Sequence, residues 1–418
     1  MLLKLARLSL WNRRITVLLT LASLVVSIAL VLGIHHLKNQ ARSSFSQTLS
    51  GTDLIVGARS GQLNLLLYSV FRIGNATNNM TWQSYQELEQ HRSVAWMVPI
   101  SLGDSHKGYR VLGTLPSYFE HYRFGRNLPL VLDSGKVFDD LYDAVLGAEV
   151  ARKLGYKVGD QVVLAHGTGA VNLHHHNDKP FVVSGILKPT GTPVDRTIHV
   201  SLAGIEALHL DWQQGMPLPG RQVSAEQARE MALTPSSITA ALVGLNSKAA
   251  TFTVQRQINQ YRQEPLMAIL PGVALSEMWQ MLGMVEQMLW LISLMVLVAA
   301  LIGMTTSLLA SMNERQREIA VLRAVGARAS HLFLLIELEV LLITVLALVL
   351  GGALLTGSLL LAQPLLAEHL GLFIAINPIQ SDVLKMAGIV VGVALLLGLI
   401  PAATAYRRAL HEGLSQRL

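Results

Sequence analysis

The chain has 418 residues, 51% of them hydrophobic and only 14% charged, with a mean hydropathy of +0.43. A soluble chain carries about a quarter charged residues, so this composition points to an integral membrane protein. The absence of cysteine excludes disulfides, thiolate chemistry and cysteine-ligated metal centres, and a net charge of +6 without a dense basic stripe argues against a nucleic-acid partner.

In chain order, residues 1–14 read as a short amphipathic segment with Lys4, Arg7, Arg13 and Arg14. ITVLLTLASLVVSIALVLGI, residues 15–34, follows without a charge and is long enough to cross a bilayer. It exceeds the apolar core of a signal peptide, and the IHHLKNQ that follows lacks a small-x-small cleavage pattern, so it reads as a retained span.

Residues 35–280 have the composition of a globular domain. TDLIVGA (52–58) reads as a strand, Trp82, Tyr85 and Leu88 share one helical face, and SVAWMVPI (93–100) reads as a second strand. The end of the domain repeats that order. SSITAALVGL (236–245) is strand-like, Val254, Ile258 and Tyr261 fall at helical spacing, and PLMAILPG (265–272) follows. Two such β-α-β units at opposite ends predict a split α+β module whose ends meet. DQVVLAH (160–166), KPFVVSGIL (179–187) and RTIHVSL (196–202) supply further strands between them. No nucleophile elbow, zincin, phosphate-loop or dinucleotide motif is found, so nothing argues for an enzyme.

Within this domain, AVNLHHHNDKP (170–180) carries three consecutive histidines. On an extended backbone His174 and His176 share a face, and with Asp178 they offer ligands suited to zinc. His166, His199 and His209 lie in the same region and could complete a shell. The competing reading is a solvated hairpin tip between two strands.

Three more apolar runs follow at 287–310, 340–362 and 386–405, separated by 311–331 and a short 363–385 loop and ending in a 406–418 tail. Arg315, Arg317, Arg323 and Arg328 lie between the second and third runs, and Arg407, Arg408 and Arg417 follow the fourth. The 363–385 loop has Glu368, Asp382 and only Lys385 as a cation. The cation bias predicts cytoplasmic termini, a cytoplasmic 311–331 segment and an extracytoplasmic large domain. The fold class expected is therefore an α+β membrane protein, with four transmembrane helices and a large extracytoplasmic α+β domain inserted between helices 1 and 2. Glu337 and Glu339 stand where an unpaired carboxylate is costly, and Glu337 is expected to pair with a nearby arginine or amide.

The segment SMNERQREIAVLRAVGARAS (311–330) starts as a charged helical turn, presents Ile319, Leu322 and Val325 at near-helical spacing and breaks at Gly326. It reads either as a solvated loop that enforces topology or as a rigid lever for a cytoplasmic partner. Its Glu314-Arg315, Arg317-Glu318, Ile319, Arg323-Ala324 and Gly326-Ala327 resemble the coupling segment of MacB/FtsX/Lol-type ABC permeases. VLGAEVARKLGYKVGDQVVL (145–164) is similar to the outer-domain pattern of that superfamily, and ILKPTGTPVDRTIHVSL (186–202) to the strand–loop–strand that follows it. GLIPAATAYRRALHEGLSQRL resembles its tail, with Pro401 and Ala402 kept and Glu412-Gly413-Leu414 departing from it.

The resemblance implies a permease subunit of the bacterial inner membrane with a MacB-like periplasmic core domain. It would pair with a second permease copy or paralogue and dock a separate ABC ATPase dimer, since no ATPase motif is fused here. ATP and magnesium would then sit on that partner, with no cofactor in this chain beyond the candidate zinc. Glu314, Arg315, Arg317, Glu318, Ile319, Arg323 and Gly326 would couple hydrolysis to motion of the periplasmic domain, termed mechanotransmission. Membrane lipid and a periplasmic adaptor or cargo protein complete the expected partners. Two alternatives stay open: an FtsX-like regulatory subunit acting on a periplasmic partner, and a zinc-handling transporter subunit.

Overall fold

The computed structural model describes residues 2–167, 178–210, 212–213, 216–217, 223–312, 321–370 and 381–411. The chain divides into two compact units, one of 1–41, 283–368 and 374–418, the other of 42–282 and 369–373. The architecture is mixed α+β, with four helices long and apolar enough to cross a membrane and a large β-rich unit.

Helix α1 (Leu2–Asn12) is followed by α2 (Arg14–Gln47). The candidate spans within the apolar helices are Arg14–Gln40, Pro271–Ala310, Ala329–Gln363 and Val383–Arg407. Leu24, Ile28, Leu301, Met304, Val340, Ile343, Ala347 and Ala394 form the buried seam between the helices. Lipid gives apolar side chains no reason to prefer a helix over the bilayer, so close approach and hydrogen bonding must hold such a bundle. Both are present. A Cβ at Gly351 would lie 3.0 Å from Ile28 Cγ2 and 3.2 Å from the Val25 carbonyl oxygen, so glycine lets these helices meet backbone to side chain. Between helices, Thr20 Oγ1 donates to Ser307 Oγ at 3.4 Å and Arg13 Nη2 to Glu339 Oε2 at 3.2 Å. The hydroxyls of Ser27, Thr305 and Thr344 are satisfied within their own helices by carbonyls four residues back.

In the β-rich unit, nine strands build the main path of the sheet. They are β1 (Leu54–Ala58), β2 (Val94–His106), β3 (Tyr109–Thr114), β4 (Leu132–Gly135), β5 (Asp143–Leu146), β6 (Phe181–Leu187), β7 (Thr197–Ser201), β8 (Ala240–Leu245) and β9 (Leu266–Ile269). Their spatial order is β9-β1-β8-β2-β3-β7-β5-β6-β4. The first and last strands of the unit are thus neighbours. β1 pairs antiparallel with β8 through Ile55–Leu242 and with β9 through Ile55–Ile269. The split module expected from the sequence is this interleaving, with β1 and β2 from one end and β8 and β9 from the other.

Helices cover the faces. α3 (Trp82–Glu89) buries Tyr85 and Leu88, and Thr81 caps it by accepting from the Ser84 N–H. α4 (Ser117–His121), α5 (Ala148–Leu154) and α6 (Leu202–His209) follow. α7 (Thr251–Asn259) buries Val254 and Ile258, and Tyr261 stands past its end. Beside it the edge strand β9 has Ala268 satisfied from outside the sheet: its N–H donates to Asn259 Oδ1 at 2.7 Å, and its carbonyl accepts from Gln255 Nε2 at 3.1 Å.

Helix boundaries depart from the hydropathy reading. α8 runs as one helix from Pro271 to Ala310, and α9 from Ala329 to Leu370, followed by α10 (Ser381–His411). Apolar counting stops at a charge, whereas these helices run on through charged residues, two of which are paired. Glu286 pairs with Lys38 at 3.0 Å, and Glu339 with Arg13 at 3.2 Å.

Candidate functional site

The candidate site is the connection between α8 and α9. Its Glu314, Arg315, Arg317, Glu318 and Ile319 lie outside the described residues, whereas Arg323 and Gly326 are described. Residues 321–324 are helical. The helix ends through two paired hydrogen bonds: Gly326 N–H donates to the Arg323 carbonyl at 3.0 Å, and Ala327 N–H to that of Leu322 at 2.9 Å. This is the Schellman pattern, which satisfies the last carbonyls and needs one left-handed residue. Gly326 supplies it with φ 96°. Arg323 Nη1 reaches the Ala327 carbonyl at 3.4 Å and braces the turn from its side.

Two residues later α9 begins, and His331 Nδ1 accepts from the Arg328 N–H at 3.1 Å. The sequence Arg-Ala-x-Gly-Ala is therefore a stop-and-restart device, ending one helix and fixing the start of the next within a few residues. The periodicity missed this because a Schellman cap is set by two glycine-adjacent hydrogen bonds rather than by a repeat.

The turn also shapes a surface. Leu5, Leu322, Val325, Gly326, Ala327, His331, Leu332 and Leu335 line an apolar pocket of about 260 Å³. Val325 at its rim and the neighbouring Val321 are 84% and 62% exposed. Both flanks of the connection are anchored. Met312 and Ile336 pack with Ala402 and Ala405 of α10, and Ala329 packs with Leu332 and Leu322. The described part of the connection, 321–328, is thus a capped helical end with apolar side chains at its surface.

Glu337 and Glu339 divide differently from expectation. The ion pair falls on Glu339, which is fully buried and 3.2 Å from Arg13. Glu337 Oε1 is buried with no hydrogen-bond partner among the described residues. Two residues of helix turn the second carboxylate to the far side, so only Glu339 faces Arg13.

Of the candidate metal ligands, His174 and His176 lie outside the described residues. Asp178 is exposed and 3.8 Å from Lys179 Nζ. His209 Nε2 lies 3.8 Å from Asp104 Oδ1. His199 is a core residue: it is fully buried on β7, its Nδ1 is 3.2 Å from the Val145 carbonyl, and its ring packs against Tyr118 and Phe119. Burial, aided by the charge of Arg72, pushes its pKa down to about 3, so the ring stays neutral. Among the described residues no three His, Asp or Glu side chains group closely enough to hold a metal.

Comparison with known proteins supports the family resemblance read in the sequence. The MacB-like periplasmic core domain matches residues 17–261, and the FtsX-like permease C-terminal domain matches residues 290–412. Among solved structures, the periplasmic region of MacB from Actinobacillus actinomycetemcomitans is 10% identical, covering 55% of this chain and 94% of that one at a TM-score of 0.35. The extracellular domain of the noncanonic ABC-type transporter YknZ from Gram-positive bacteria is 12% identical, covering 52% and 99% at a TM-score of 0.31. No curated protein matches the chain. Together the two domain matches account for most of its length, and the chain belongs to the MacB/FtsX-type ABC transporter permeases, multi-pass membrane proteins that work with an ABC ATPase partner.

Proposed function

We propose that the chain is the transmembrane subunit of a mechanotransmitting transporter. A separate ATPase dimer docks on the α8–α9 connection, and its closure moves the β-rich unit, which is inserted between the first and second spans on the far side of the membrane. The cation bias supports this orientation, with both termini and the connection in the cytoplasm and the chain in the bacterial inner membrane. A second copy or a paralogue completes the pair that an ATPase dimer would engage. The β-rich unit then acts on a periplasmic or membrane cargo, through export, release or handling.

The observation that carries this reading is the capped, anchored connection with Val321 and Val325 exposed beside an apolar pocket. A loop that served only to enforce topology would gain nothing from a Schellman stop or apolar tips. Glu314, Arg315, Arg317 and Glu318 supply charge-assisted hydrogen bonds around that helical end in this proposal. The test is charge reversal at Arg317 together with Glu318, followed by purification from membranes with the ATPase. Membrane insertion stays intact and ATP hydrolysis becomes uncoupled. Unchanged co-purification and transport activity in the double variant would sink the assignment.

A further inference from the structure

Chain connectivity shows a mechanical asymmetry. The β-rich unit is joined to the membrane helices at both ends, through α2 before β1 and through α8 after β9. Those two strands are hydrogen-bonded neighbours, so both attachments lead to one ladder. α8 runs directly into the coupling connection, and α9 leaves it. α2 shares no chain end with the connection, so displacement reaches α2 either late, through the β9–β1 ladder, or directly through side-chain contacts. Of these contacts, the Lys38–Glu286 pair with α8 is partly exposed and lies at the end of α2 far from the connection.

One contact is placed for that task. Arg13 sits in the turn between α1 and α2, where its N–H donates to the Leu10 carbonyl and its carbonyl accepts the first helical bond, from Val17 at 3.0 Å. Its Nη2 lies 3.2 Å from Glu339 Oε2, with side-chain exposures of 12% for Arg13 and 0% for Glu339. Glu339 lies ten residues into α9, about 15 Å of helix from the capped connection. Apolar packing at Ile28 and Gly351 also joins α2 to α9, but such surfaces slide. A buried ion pair instead holds one register and resists separation, because parting it leaves a charge uncompensated.

We propose that Arg13 and Glu339 are positioning residues that transmit displacement of the coupling connection to α2, so that both attachments of the β-rich unit move together. The role rests on the ATPase-coupled reading above. It goes beyond that reading by assigning half of the transmission to a side-chain pair outside the connection.

The test uses the full chain in nanodiscs with its ATP-binding partner. The chain has no cysteine of its own, so Phe252→Cys, at a position 70% exposed on α7, carries a single environment-sensitive fluorophore. The Arg13→Gln/Glu339→Gln double variant removes both charges of the pair together. It is expected to hold the partner and melt as the parent does, while its ATP-dependent fluorescence change falls about tenfold. Arg13→Lys, which keeps the charge, retains most of the change. A full response in the double variant overturns the proposal. So does a double variant that fails to fold or loses the partner, since the pair is then a structural tie, and so does Arg13→Lys falling as far as the double variant. A parent that binds the ATPase but stays silent to ATP removes the coupled reading itself and, with it, the role of the pair.

Discussion

The buried imidazole of His199 makes the stability of the β-rich unit depend on pH in a calculable way. The ring sits on β7 between Tyr118 and Phe119 with its Nδ1 held at the Val145 carbonyl, and burial lowers its pKa from 6.5 to about 3. A depressed histidine contributes stability that is present above the unfolded pKa and is lost as pH falls through it towards the folded value. Between pH 7 and pH 5 the folded ring stays neutral while the exposed ring gains a proton. The linkage integral over that interval is about 2 kcal/mol, or roughly 25-fold in the opening equilibrium. Burial acts in the opposite sense on Asp195 and Glu149, whose raised carboxyl pKa values favour the folded state as pH falls.

The measurement is therefore a difference between the parent and His199→Gln. Hydrogen exchange of the full chain in nanodiscs, corrected for intrinsic chemistry, should show β5 and β7 losing that protection from pH 7 to pH 5 in the parent. The variant should be less protected at pH 7 and lack this pH dependence. Equal pH dependence in the two proteins would refute the assignment of the effect to His199.

Gly326→Val forces a β-branched residue into φ 96°, which should cost about 1–2 kcal/mol at the helix stop. It is read as reduced ATPase co-purification with bundle melting unchanged. Gly351→Leu drives a side chain into Ile28 and the Val25 carbonyl, and should cost about 1–3 kcal/mol, seen as a lower melting temperature in detergent. Zinc titration of the full chain is expected to show no tight site, because no three His, Asp or Glu side chains come together among the described residues. Tight binding that disappears in His174→Ala/His176→Ala would reverse that expectation.

Much of the fold was legible in the sequence because the two environments impose different periods. Unbroken apolar runs marked the four membrane helices, and short alternating or apolar runs marked β1, β6, β7, β8 and β9 to within a few residues. The interleaving of the two ends followed from their repeated strand–helix–strand order. Features that depend on one distant residue were missed. The N-terminal extension of α8 to Pro271 and that of α9 to Ala329 carry carboxylates, and those of Glu286 and Glu339 become tolerable through Lys38 and Arg13. Neither partner can be chosen from spacing. The histidine tally misled at His199 for a similar reason: a core imidazole and a ligand look alike until the neighbouring strand is known. In the candidate site, the glycine break was visible but its hydrogen-bond pattern was not.

The pairing of Asn259 and Gln255 with Ala268 bears on how the β-rich unit can recruit other proteins. A free strand edge invites an incoming chain to extend the sheet, one of the common modes of peptide capture. On the β9 side the two amides occupy the donor and acceptor that such a chain would need at Ala268. Strand addition is discouraged there, so any chain that met that flank would have to be held by the shape and charge of side chains. Removing the amides, as in Gln255→Ala/Asn259→Ala, would turn a sealed border into an adhesive one and favour aggregation.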